Sequence, residues 1–140
     1  MPLIDFKDLI VIAVVTDIAI ERDSRLINAR QLEKRHRLPA RYLEPVLHLL
    51  VRQGILASIR GPGGGYRLAR EPDRITVEDV LHATGTLNGL PDLGRSKLLN
   101  AVVAPAIAQA EGSFFDQVSR ISIKDLTKVA TSIPGIIERG

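Results

Sequence analysis

The chain has no cysteine and no tryptophan, and its aromatic residues are two tyrosines and three phenylalanines. Without thiols it can form neither disulfides nor thiolate-held zinc or iron–sulfur clusters, a composition that fits a reducing cytosol. So few aromatics argue against stacking on single-stranded bases as a binding mode. Long apolar runs are absent too. The longest, Leu9 to Val15, falls far short of the ~20 residues that span a bilayer. Asp8 and Asp17 flank it and no basic segment precedes it, so no signal peptide is expected. These readings predict a cytoplasmic protein with no membrane partner.

What the chain does have is arginine, concentrated in one place. The formal net charge is +3 over 140 residues, but between Glu21 and Arg74 twelve Lys or Arg face six Asp or Glu, and eleven of the twelve are Arg. The remainder is mildly acidic. Guanidinium groups suit phosphate and guanine recognition better than ammonium groups do. A solvated basic surface would have the same composition, so the pattern around the charge has to decide.

That pattern is a helix, a glycine stop and a hairpin. An amphipathic stretch from Tyr42 to Gln53 ends at Gly54, and two short strand-like runs follow, Ile55 to Ile59 and Tyr66 to Ala69. Between them lies Arg60-Gly-Pro-Gly-Gly-Gly65, whose glycines allow the positive φ of a tight return. Upstream, Asn28 is placed to cap a helix running to about His36, and Arg37-Leu38-Pro39 makes a short turn into the next. Two helices joined by such a turn form a helix-turn-helix, the second helix entering the major groove, with the hairpin as its wing. The partner this predicts is double-stranded DNA.

Elsewhere, Asp5 is placed to cap a first helix whose buried stripe is predicted as Phe6, Leu9, Ile10, Ala13, Val14 and Ile18. Thr76, with Asp79 three residues on, opens a helix that buries Val77, Val80, Leu81 and Ala83 and stops at Gly85. A Gly- and Pro-containing linker spans 86–95. Ser96 then caps a long helix with apolar residues from Leu99 to Ile121. Continuous from Lys97 to Arg120 it would reach ~36 Å, too long to bury against so small a head. It is predicted as a dimerisation arm with a kink or bend at Pro105 or Gly112; folding back as the last core helix of a monomer is the alternative. The fold class is mainly α with a small β-hairpin wing: a winged helix-turn-helix (1–85), a linker (86–95), and a dimerisation helix with a C-terminal segment (96–140).

Tyr42-Leu-Glu44, Gly54-Ile-Leu-Ala-Ser-Ile-Arg-Gly-Pro-Gly-Gly-Gly-Tyr-Arg-Leu-Ala69 and Ile75-Thr-Val-Glu-Asp-Val-Leu81 together resemble the Rrf-two family of bacterial transcriptional regulators. The resemblance is strongest from Asn28 to Ala83 and continues in Ala110 to Phe115 and Ile121 to Leu126. It implies a homodimer on an inverted-repeat operator, usually acting as a repressor. Cluster-binding members place three cysteines in the stretch that here is Gly85 to Lys97; this chain has none, so neither cofactor nor metal is expected. Pro45, inside the recognition helix, is the second departure: either the helix starts near Arg41 or its opening turn is distorted.

By the same resemblance Arg41, Tyr42 and Glu44 occupy the exposed recognition positions. There Arg can donate to guanine, Glu can accept from cytosine, and Tyr can bond a phosphate or pack on a thymine methyl. From the layout itself, Arg60 at the base of the wing can enter a minor groove, with Gly61, Gly63 and Gly64 setting the turn. Arg30, Arg37 and Arg67 are phosphate candidates, and Asn28 a helix cap whose neighbouring amides can meet phosphate. His36, His48 and His82 lack metal-ligand spacing, and no nucleophile–base constellation stands out, so an enzyme is not expected. The competing class is a winged-helix protein-interaction module that has lost specific DNA reading. The signal that would regulate the protein is left open between a small molecule, a protein partner and abundance.

Overall fold

The computed structural model describes residues 6–21, 25–85 and 96–136. The expected Asp5 cap, the Phe6 side chain and the linker 86–95 lie outside them. Among the described residues the order is α1 (Phe6–Ile20), α2 (Ala29–His36), α3 (Ala40–Arg52), β1 (Leu56–Ile59), β2 (Gly65–Leu68), a 3-10 turn (Pro72–Arg74), α4 (Val77–Ala83), α5 (Ala104–Val118) and α6 (Ile123–Thr131). This is the mainly helical architecture with one antiparallel hairpin that the sequence predicts. No described helix is long and apolar enough to cross a membrane.

α1 is the central helix of the head. Val11, Val14, Val15 and Ile18 are its buried row, meeting Leu32 of α2, Leu43, Leu47 and Leu50 of α3, and Ile123 of α6 in one core. The predicted stripe is therefore rotated: Val14 and Ile18 are buried, but Leu9 is 54% exposed and Ala13 is also exposed. The reason is that α1 is apolar almost all round, so helical spacing admits more than one inward row and the neighbouring helices choose it.

The helix-turn-helix forms as its capping residues dictate. Asn28 accepts from the Gln31 amide at 2.9 Å while Gln31 Oε1 accepts from the Asn28 amide at 2.9 Å. Two of the open donors at the start of α2 are thereby satisfied. α2 ends on Arg37 in the left-handed region, φ 55°. α3 starts at Ala40 and runs unbroken through Pro45 to Arg52. Pro45 thus sits early in the helix, where its missing N–H costs one backbone bond, and its ring faces solvent.

In the wing, Leu56 pairs with Leu68 and Ile59 with Gly65. Ile27, just before α2, adds a further bridge to Tyr66, with Tyr66 N donating to Ile27 O at 2.7 Å. The wing is thereby tied to the entrance of the helix-turn-helix.

Capping boxes at Thr76/Asp79 and Ser122/Asp125 open α4 and α6. Those two caps face each other: Thr76 and Ser122 form an antiparallel bridge, Val77 N donates to Ile121 O at 2.8 Å, and Ile123 N donates to Ile75 O at 2.7 Å. α6 is thereby returned to the head, against α1.

Ser96 Oγ accepts from the Leu99 amide at 3.2 Å, as expected of a cap. A π-helical turn over Leu99–Val103 precedes α5, with Ala104 N–H bonded to Leu99 O, five residues back. The interruption expected near Pro105 takes this form: the wider turn accommodates a residue that cannot donate. Gly112 lies within α5 without breaking it. The C-terminal end of α5 is anchored through Val118, Phe114 and Phe115 on Val77 and Leu81. Ahead of α5, Leu98 is 68% and Val102 57% exposed, with Val103 and, in the first turn of α5, Ile107 also exposed.

Candidate nucleic-acid interface

α3 buries Leu43, Val46, Leu47 and Leu50. At 100° per residue the opposite, outward line carries Arg41, Pro45, His48 and Arg52, all exposed. Glu44 lies on the flank toward the wing and Tyr42 on the flank toward α1. The two resemblance-based positions thus face different neighbours. Lys7 Nζ lies 5.9 Å from the centroid of the Tyr42 ring, a cation–π distance.

Across from α3 stands the wing. Gly61 and Gly63 take φ of 99° and 75° to turn the chain, and the Gly64 amide closes the turn on Gly61 O at 2.9 Å. Gly65 is required for a different reason: a Cβ there would sit 2.6 Å from Ile27 O, inside the bridge that fixes the wing. Arg60 is exposed at the end of β1.

Between helix and hairpin opens a cleft of about 720 Å³, lined by Pro45, His48, Val51, Arg52, Ser58, Arg60 and Tyr66. Partial burial first, then the carboxylate of Glu44, hold the Tyr66 hydroxyl above the usual tyrosine pKa. It therefore stays a neutral donor. The cleft has two arginines and an imidazole on its walls and one carboxylate at its edge, an arrangement suited to an extended anion.

Of the residues expected at the site, Arg60 lines this cleft; Arg41 stands on the outward line of α3, Glu44 acts on the Tyr66 hydroxyl, and Gly61, Gly63 and Gly64 form the turn that follows Arg60. Asn28 and Arg30 are exposed at the start of α2, and Arg37 is exposed at its end, outside the cleft. Arg67 pairs with Ala57 on the hairpin face opposite Ser58 and Tyr66. Sequence reasoning missed His48, Arg52 and Ser58 as cleft residues. The first two were detectable, since they continue the outward line of Arg41 at helical spacing. It also counted Arg35 in the basic excess, whereas Arg35 is buried against Asp17.

The model of the Rrf2 family, described as an iron-dependent transcriptional regulator, matches residues 7–129. The Synechocystis protein slr0846 is 31% identical over 113 residues, covering 79% of this chain and 77% of that one. The HTH-type transcriptional regulator IscR of Aliivibrio salmonicida is 35% identical over 72 residues, 51% of this chain, and the match spans only 43% of that regulator. Among solved structures, CymR, the global cysteine regulator of B. subtilis, superposes with a TM-score of 0.75 at 21% identity, over 92% of this chain and 98% of that one. That likeness establishes the winged fold.

Among the described residues the iron in the family description finds no matching donor set. The chain has no thiolate to offer, and among the described residues no three His, Asp or Glu side chains converge as metal ligands. A cysteine-ligated cluster does not fit these residues. With the family model covering most of the chain and a relative matched along most of its length, the protein belongs to the Rrf2 (Rrf-two) family of transcriptional regulators, not to a family of enzymes.

Proposed function

We propose that the protein is a DNA-binding transcriptional regulator that acts as a homodimer on an inverted-repeat operator, as a repressor, without an iron–sulfur cluster. The observation that carries this reading is the outward line of α3 facing the arginine-bearing wing across a cleft. α3 enters the major groove, with Arg41 and Glu44 at base edges, and Arg60 reaches the adjacent minor groove. Asn28, Arg30, Arg37 and Arg67 position the head on phosphates, and Tyr42 meets DNA on the α1 side of the helix.

The head, residues 1–85, reads DNA. The arm that follows Ser96 pairs with a second copy through Leu98, Val102, Val103 and Ile107, apolar side chains left exposed on one protomer. The small residues Ala101, Ala104, Ala106 and Ala108 favour close approach there.

Sedimentation equilibrium tests the arm: the native chain should be a dimer, and Val102→Glu with Ile107→Glu a monomer with unchanged helicity. Titration of random duplex DNA across salt tests the reading head. Affinity should fall log-linearly with salt, with a slope reduced by about 0.9 for each phosphate contact removed. A salt-independent affinity would refute the DNA reading, and a native monomer would refute the dimer.

A further inference from the structure

Resting on the regulator reading above, we propose that His48 meets a DNA backbone phosphate as the imidazolium, so that this protein takes up a proton when it binds DNA.

The geometry sets what must occupy the cleft. When a recognition helix lies in the major groove and its wing in the adjacent minor groove, the sugar–phosphate strand between those grooves passes between helix and wing. In this chain that passage is the cleft holding His48, Arg52, Ser58, Arg60 and Tyr66. His48 stands on the outward line of α3, exposed, and among the described residues it has no hydrogen-bond or ion-pair partner. The other two histidines differ. His36 Nε2 is 2.9 Å from Asp17 Oδ2, and His82 Nε2 is 3.9 Å from Glu78 Oε2.

Among the described residues, Arg52 of the same helix, Arg60 from the wing turn and Tyr66 of β2 line the cleft with His48, β1 contributes the uncharged Ser58, and Glu44 stands four residues before His48 on α3. A phosphate entering the cleft pairs with both guanidinium groups and with the imidazolium. Imidazole is the side chain that changes charge near neutrality. Binding an anion favours its protonated form, so affinity falls as pH rises. A phosphate contact carries no sequence information, and the proton linkage is therefore the same on any duplex.

Fluorescence anisotropy with a labelled random-sequence duplex at low salt, from about pH 5.5 to about pH 8.5, reads this directly. The native protein is expected to bind about tenfold more weakly at the upper end, the scale of one charge-assisted hydrogen bond. His48→Gln should flatten the profile at the weak end and His48→Lys at the tight end. His82→Gln should leave it unchanged. Circular dichroism checks that each variant folds, as expected for an exposed position. A native-like pH profile in His48→Gln, or a flat profile in the native protein, would overturn the proposal while leaving the regulator reading standing. Absence of binding at every pH would remove both.

Discussion

Arg35 Nη1 lies 2.7 Å from Asp17 Oδ1, and both side chains are only 3% exposed. Arg35 Nη2 also reaches Glu21 Oε1 at 3.7 Å, and His36 adds its contact to the second Asp17 oxygen. The first helix of the helix-turn-helix is thus held to α1 by a charged contact inside the core, adjoining the apolar packing of Leu32.

Such a pair is far more costly to break than to replace, because the surviving charge stays buried. Arg35→Met is expected to cost about 3–5 kcal/mol in urea unfolding. Adding Asp17→Asn to it should recover part of that loss, since the two substitutions share one interaction. Strict additivity would show that the contact is not energetically coupled.

Gly65 and Gly112 should respond in opposite directions to alanine. At Gly65 a Cβ would press on Ile27 O, and φ is 156°; the expected loss is about 1–3 kcal/mol. At Gly112 a Cβ meets nothing within 4 Å and lies inside α5, so alanine should add about 0.5–1 kcal/mol. Urea midpoints of the two variants against the native chain provide the comparison.

Acid should loosen the α4–α6 junction through Asp125. Its carboxyl is held below the ordinary carboxylate pKa, first by the Ser122 amide at 2.9 Å and then by the Ser122 hydroxyl. A carboxyl with a lowered folded-state pKa stabilises the fold above its ordinary pKa, and that contribution is lost as pH falls through the lowered value. Thermal melting should therefore separate native protein from Asp125→Asn near neutrality and not in strong acid. A gap that persists in acid would assign the difference to packing.

At the reading surface, Glu44→Ala should relax sequence preference while largely keeping affinity for random DNA. A base contact carries about 1–3 kcal/mol of discrimination and little nonspecific binding. Arg41→Ala should weaken both. Equal losses for Glu44→Ala on selected and random duplexes would place Glu44 in a structural role.

Much of this was legible in the sequence because it is written locally. Asn28 with Gln31 and Thr76 with Asp79 announce helix starts within four residues, and the glycines after Arg60 announce the turn. What escaped depends on distant partners. α1 could have turned several apolar rows inward, and only the placement of α2, α3 and α6 selects Val11, Val14, Val15 and Ile18. Arg35 reads as surface charge until Asp17, a full helix earlier, is brought against it. Ile27 looks like linker until β2 arrives to pair with it. One signal was available and unused: Ile75-Thr-Val-Glu-Asp-Val80 and Ile121-Ser-Ile-Lys-Asp-Leu126 share a pattern, and their caps meet across the Thr76–Ser122 bridge.

The most direct measurement is selection of duplex DNA from a random pool at ~150 mM salt, where nonspecific phosphate binding is suppressed. A symmetric dimer reading DNA through α3 and the wing predicts enrichment of one inverted repeat with its half-sites about one helical turn apart. No enrichment, from protein confirmed folded and dimeric, would contradict the account at its centre.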